Sequence, residues 1–144
     1  LIVQKSWARL KDFLRKVTSF SLLYNSAIAI GLIVFGKFIL RIYGEEYVPA
    51  YPALLALLVG FVFNYIFFWN RPILLSLGLP GFPFKSTLVA GTLKIALAFP
   101  LVPRFGYIAE AGLLSFYYVI SVGANVVRGV LEIRTKEKEI TAEA

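Results

Sequence analysis

The sequence contains no cysteine, no histidine and no methionine, and only 16% of its 144 residues are charged. Without cysteine, neither a disulfide framework nor a thiolate metal site is available. Without histidine, the commonest general base and the commonest zinc ligand are missing. The first residue is Leu1 instead of methionine, so we expect the chain to be a segment of a longer protein.

Sequence patterns for catalysis are also missing. The glycine-rich stretch GLPGFPF, residues 78–84, is interrupted by proline, and Phe84 stands where a phosphate-binding loop has the glycine before its Lys-Ser/Thr pair. No nucleophile has a plausible base beside it. We therefore predict no enzymatic activity, no catalytic residues, no cofactor and no metal site.

Hydrophobic residues are abundant instead, at 59% of the chain. A soluble domain has about 45–50% apolar and about 25% charged residues, so this composition indicates an integral membrane protein. A membrane-spanning helix needs about 20 mostly apolar residues, and four stretches supply them. Because runs this long and unalternating favour helices, we predict an all-α membrane fold with transmembrane helices at residues 17–43, 47–77, 84–103 and 107–131.

Lysine and arginine are distributed unevenly between the two sides of these four helices. Five of them come before the first helix, two (Arg71 and Lys85) lie near the turn between the second and third, and four lie from Arg128 onward, which makes eleven, whereas three (Lys37, Arg41 and Arg104) lie near the other two turns. The positive-inside rule therefore predicts a multi-pass protein of the cytoplasmic membrane with both ends of the chain in the cytoplasm.

The adjacent glutamates Glu45 and Glu46 follow Gly44, between the first and second predicted helices. They could be paired catalytic carboxylates or metal ligands, or they could mark the edge of a buried segment. Acidic residues at the start of a helix suit its dipole, and tyrosines flank the pair, as at a membrane interface. We predict a solvated turn.

The first sixteen residues form a basic amphipathic segment. Its apolar arc is made by Val3, Trp7, Leu10, Leu14 and Val17. Two interpretations stay open: a helix lying on or entering from an anionic membrane surface, or a cytoplasmic extension of the first transmembrane helix. In both, the basic face points to anionic headgroups and not to nucleic acid.

Lys94 is a basic residue in the middle of the third predicted membrane span, about nine residues from either end. Its helical neighbours Ala90, Gly91 and Ala98 are small, which favours packing against protein. Lys94 is predicted either to face the bundle or a watery cavity, where it would attract an anionic substrate, or to extend its stem to the membrane surface.

Other polar residues lie on the predicted helices at three- and four-residue spacing or at a helix end. They serve interhelical hydrogen bonds or a substrate pathway. With Lys94, the candidate substrate-binding residues are Arg71, Asn25, Asn64 and Asn125.

Three local patterns resemble the polysaccharide and lipid-linked oligosaccharide flippases of the multidrug, oligosaccharidyl-lipid and polysaccharide exporter superfamily. They are ILRIYGEEYVPAYPALLALL (39–58), NRPILLSLGLPGFPFK (70–85) and PLVPRFGYIAEAGLLSFYYVIS (100–121). Their order and spacing cover most of the chain.

This resemblance implies that the four helices are part of the C-terminal lobe of a larger helical transporter. It implies a lipid-diphosphate-linked glycan as substrate, flipped across the membrane by alternating access, with membrane lipids and a missing N-terminal lobe of the same chain as partners. It also implies basic residues for the diphosphate in a cavity between lobes, for which Lys94 and Arg71 are the candidates.

Three alternatives remain. A peptidoglycan-precursor flippase would fit the same patterns. A drug/cation antiporter of the same superfamily would favour acidic residues within the membrane, whereas Glu110 lies at the predicted outer edge. A non-transporting scaffold subunit would use its polar residues only to bind other helices, and a dry, fully packed Lys94 would favour it.

Overall fold

The structure is a computed structural model that describes the backbone of residues 2–142 and the side chains of residues 7–140 and 142. These residues form helices joined by short turns and contain no strand. The helices are α1 (Ile2–Tyr43), α2 (Tyr51–Ile66), α3 (Asn70–Ser76), α4 (Gly81–Phe105) and α5 (Tyr107–Ala142), with a short 3-10 helix (Glu45–Ala50) before α2.

Four helical stretches are long and apolar enough to cross a membrane: Trp7–Tyr43, Glu45–Ser76, Gly81–Phe105 and Tyr107–Ile140. The prediction of an all-α fold with four candidate membrane-spanning helices is therefore confirmed. These helices fit a multi-pass membrane protein.

The turns lie at two opposite ends of the bundle. Gly106 alone separates α4 from α5, and its φ of 62° is a left-handed conformation that glycine adopts without steric cost. The Tyr107 hydroxyl donates to the Pro49 carbonyl at 3.2 Å, which places the Gly44 turn beside Gly106. We call this the Gly106 end, and the opposite end, which carries the turn between α3 and α4, the Gly78 end.

The predicted helix 47–77 is interrupted in the structure, because α2 ends at Ile66 and α3 begins at Asn70. Pro72 explains the position of the break, since it has no N–H to donate to the Phe68 carbonyl and is tolerated in the first turn of a new helix. The Asn70 side chain donates to the Phe67 carbonyl at 2.6 Å within the break.

Glu45 and Glu46 occupy the first turn of the 3-10 helix and are exposed. Glu45 accepts from the Arg41 guanidinium at 3.3 Å, one turn earlier in the chain. The acidic pair therefore lies at a solvent-accessible turn between two long helices.

The N-terminal segment is continuous with the first membrane-spanning stretch, because α1 runs without a break from Ile2 to Tyr43. Its apolar arc packs on a core cluster that α3 and α5 share. From α1 this core receives Trp7, Leu10, Leu14 and Val17, and its buried members are Trp69, Ile73, Leu74, Leu77 and Ile133. This part of α1 is thus an extension of the first helix that covers protein. The side chain of Val3 lies outside the described residues.

Helix α5 is central and packs against α2, α3 and α4, whereas α1 packs mainly beside α2 and the 3-10 helix. The outer face of α1 is exposed and apolar, with Phe20, Leu23, Val34 and Phe38 all more than half exposed. Such a face suits acyl chains or further helices.

Candidate functional site

The candidate site is an ion pair between α4 and α5 in the half of the bundle nearer the Gly106 end. The Lys94 ammonium contacts the Glu110 carboxylate, and the two side chains are 23% and 47% exposed. Counted at 1.5 Å per residue, Lys94 lies about 16 Å before the end of α4, whereas Glu110 lies about 5 Å after the start of α5. Two long side chains bridge this difference in depth.

The pair borders an open groove of about 460 Å³ along α4. Apart from the ion pair, the groove is apolar: its other lining residues are Ile95, Ala98, Phe99, Val102 and Pro103. Two prolines, Pro100 and Pro103, lie within this part of α4. Since proline has no backbone N–H, the carbonyls of Ala96 and Phe99 receive no helical hydrogen bond from them. Of these two residues, Phe99 lines the groove.

Charge balance explains why a lysine is tolerated here. An isolated lysine at the centre of a membrane helix costs about 3 kcal/mol on insertion scales, and a nearby carboxylate lowers that cost. The Lys94 stem therefore ends on a carboxylate of the neighbouring helix. An anionic ligand entering the groove would compete with Glu110 for the same ammonium group.

Asn125, a second candidate residue, lies in a different place, in a buried hydrogen-bond network at the Gly78 end. Its side-chain oxygen accepts from Ser86 at 2.7 Å, and its amide nitrogen donates to Asn70 at 3.0 Å. Asn125 and Asn70 are 1% and 3% exposed. This network joins α3, α4 and α5, and its burial makes Asn125 inaccessible to a ligand in this structure.

Arg71 lies at the same end of the bundle but on its surface. Its guanidinium approaches the Thr87 hydroxyl at 3.4 Å and is exposed. Thr87 precedes Lys94 by seven residues, about 10 Å along α4. Arg71 therefore lies about two helical turns from Lys94 along α4.

The two remaining candidates belong to α1 and α2. The Asn25 amide donates to the Ser21 carbonyl in its own helix at 2.8 Å, and Asn25 lines an apolar groove between α1 and α2. Asn64 is half-buried in α2. The structure therefore separates the five candidates, and Lys94 is the one that lies in a groove with a charged partner.

Two polar contacts between helices, made by Glu110 and Ser115, were not predicted from the sequence. Glu110 was assigned to the outer edge, and nothing in the sequence specifies its contact with a lysine sixteen residues earlier. Ser115 is the other: its hydroxyl accepts from the Gly60 N–H at 3.1 Å and donates to the Ala56 carbonyl. A small residue on each helix, Gly60 and Ser115, was the available signal for this close approach of α2 and α5.

Within the described part of the chain, no group of three or more acidic side chains is arranged to hold a metal ion. The chain matches no protein-family model, no curated protein and no solved structure.

Proposed function

We propose that this chain is part of the C-terminal lobe of a transporter that flips lipid-linked oligosaccharide or polysaccharide repeat units across the cytoplasmic membrane by alternating access. The order and spacing of the three motifs around residues 39–58, 70–85 and 100–121 support the family. Four helices suited to spanning a membrane support a transport role in general.

The observation that carries the proposal is the Lys94–Glu110 pair at an open groove. The diphosphate of a lipid-linked glycan is anionic, and it would take the place of the Glu110 carboxylate on the Lys94 ammonium. The apolar groove wall suits the lipid part of the same substrate. When the substrate leaves, Glu110 returns to Lys94, so that the lysine is never without a counter-charge.

The same pair bears on the alternatives. A cation transported by an antiporter would have to displace the Lys94 ammonium from Glu110, which disfavours a cation site here. A scaffold subunit would suit a fully packed lysine, whereas the Lys94 side chain is 23% exposed beside the groove. A lipid-linked glycan remains the better fit.

The test is water access at position 94. Lys94→Cys would be introduced into the full-length protein, freed of any other cysteine, and labelled from each side with a membrane-impermeant thiol reagent. Leu93→Cys is the matched control. Leu93 lies on the surface of α4 outside the groove, where we expect lipid instead of water around it. We expect labelling at 94 that a lipid-diphosphate glycan slows about tenfold, and little labelling at 93.

Transport provides a second readout. Lys94→Arg keeps the positive charge and is expected to retain most glycan flipping, whereas Lys94→Gln is expected to lose about tenfold or more. Unimpeded flipping by Lys94→Gln, or a position 94 closed to the reagent from both sides, would refute the assignment of Lys94 to the substrate path.

A further inference from the structure

A separate groove lies at the Gly78 end, between α1 and α5, and belongs to neither the ion pair nor the amide network. It has a volume of about 400 Å³. Its rim carries Lys11, Arg15 and Arg134, and its floor is apolar: the floor residues are Leu14, Trp69, Val130 and Ile133.

The rim is positively charged after its ion pairs are accounted for. Lys11 contacts Glu137, and the nearby Asp12 is held by Lys16 at 2.8 Å. Arg15 and Arg134 are exposed and form no ion pair with the residues whose side chains the structure describes. Two guanidinium groups, one from each helix, are thus available to an anion.

Hydroxyl groups complete the groove. Thr18 accepts a hydrogen bond from the Trp69 indole N–H at 2.8 Å, so its own O–H proton remains available to donate. Ser19 also lines the groove and is exposed. Guanidinium and hydroxyl donors above an apolar floor match the chemistry of a phosphodiester attached to an acyl chain.

The depth of the groove agrees with this chemistry. From the first residue of α5 at the Gly106 end, Arg134 is about 40 Å along the helix, and from the last residue of α1, Arg15 is about 42 Å along it. A bilayer including its headgroup layers is about 40–45 Å thick. Both arginines therefore reach the headgroup level, while the floor residues Trp69 and Val130 lie closer to the acyl chains.

We infer that this groove binds one anionic glycerophospholipid, with its phosphate between Arg15 and Arg134 and an acyl chain on the apolar floor. A nucleic acid is a poorer fit, because the floor is aliphatic apart from the buried Trp69 edge and offers no exposed stacking surface. The bound lipid would fill the space between α1 and α5. This inference does not depend on which substrate the protein transports.

The test uses Trp69 as a reporter. In a Trp7→Phe variant of the protein reconstituted in phosphatidylcholine vesicles, Trp69 is the only tryptophan of this chain. Any tryptophan elsewhere in the full-length protein would be replaced by phenylalanine. Brominated phosphatidylglycerol is then titrated against brominated phosphatidylcholine. We expect half-maximal quenching at about a tenfold lower mole fraction of the anionic lipid.

Charge-removal variants make the result specific. The Arg15→Gln/Arg134→Gln pair is expected to abolish the preference, and Arg134→Gln alone to reduce it about fivefold. The matched control is Lys37→Gln/Arg41→Gln, which removes the same charge at the Gly106 end and is expected to change nothing. An intact helical circular dichroism spectrum checks the fold of each variant.

Three results would overturn the inference. Equal quenching by both brominated lipids, or an equal loss of the preference in the control pair, would show no site at this groove. Abolition of the preference by inorganic phosphate at constant ionic strength would reveal a site for free anions instead of a lipid. Quenching that resists phosphate and requires both arginines supports it.

Discussion

The two halves of the α4–α5 pair accommodate polar side chains within an apolar bundle in different ways. Toward the Gly78 end, Ser86 and Asn125 are buried and their hydrogen-bonding groups are used within the protein. Toward the Gly106 end, Lys94 and Glu110 carry full charges and border an open groove. The same two helices are therefore fixed together at one end and accessible at the other.

This difference shows which polar residues are available for function. Neutral amides and hydroxyls that satisfy one another hold helices in register, because separating them leaves buried groups without partners. A half-exposed ion pair can exchange one partner for another charge at a much lower cost. Polarity within a membrane span is therefore a weaker indicator of function than polarity combined with access.

The largest effect is expected at Gly60, where α5 meets α2. A Cβ at this position would lie 2.7 Å from the Ser115 hydroxyl oxygen and would also meet the Ser115 backbone. Gly60→Val should therefore force α2 from α5 and lower the free energy of unfolding by about 3 kcal/mol. Denaturant unfolding in micelles, followed by circular dichroism, measures it.

The matched control is Gly112→Val on α5, because a Cβ there meets nothing within 4 Å. We expect a change below about 1 kcal/mol for this variant, because its side chain meets no neighbour and the helix propensities of valine and glycine differ by less than about 1 kcal/mol. Equal losses at positions 60 and 112 would mean that the close contact between α2 and α5 does not limit stability.

A smaller effect on stability is expected in the buried network toward the Gly78 end. Asn125→Ala removes both the acceptor for Ser86 and the donor to Asn70, so we expect a loss of about 2 kcal/mol in the free energy of unfolding. Asn64→Ala is the control, because Asn64 is a half-buried amide outside this network. The same unfolding measurement should give less than about 0.5 kcal/mol there. If both asparagines cost the same, the network is not what joins α3, α4 and α5.

The smallest effect on stability is expected for the Lys94–Glu110 ion pair toward the Gly106 end. A double-mutant cycle of Lys94→Gln and Glu110→Gln should give a coupling free energy of about 1 kcal/mol, because both side chains are partly exposed. The expected loss in the free energy of unfolding is therefore largest at Gly60, smaller at Asn125 and smallest for the ion pair. A coupling free energy larger than the stability loss of Asn125→Ala would indicate that the ion pair holds α4 and α5 together. The ion pair, and not the buried network, would then be the structural contact.

The four candidate spans could be predicted because length and apolar content depend only on the local sequence. The break between Ile66 and Asn70 was missed within the helix predicted at 47–77, because Pro72 belongs to the helix that follows the break while the missing hydrogen bond falls four residues earlier. The continuity of α1 could not be settled from its pattern alone. An apolar arc is equally suited to lipid and to protein, and only the fold supplies the buried Trp69 cluster.

The candidate site was half predictable. A lysine in an apolar span is visible in any sequence, so Lys94 could be singled out directly. Its contact with Glu110 depends on the tilt and register of two helices joined by one residue, Gly106, and no local pattern encodes these. The same holds for Asn125, whose polar neighbours Ser86 and Asn70 are 39 and 55 residues away in the chain.

The contact between Gly60 and Ser115 also has a consequence for biosynthesis. The two residues are 55 positions apart, and a ribosome adds about 5–20 residues per second. About 3 to 11 seconds therefore pass between the synthesis of Gly60 and that of its partner. During this interval Gly60 faces lipid or the insertion machinery, so the newly made α2 must persist without this partner until α5 arrives to cover Gly60.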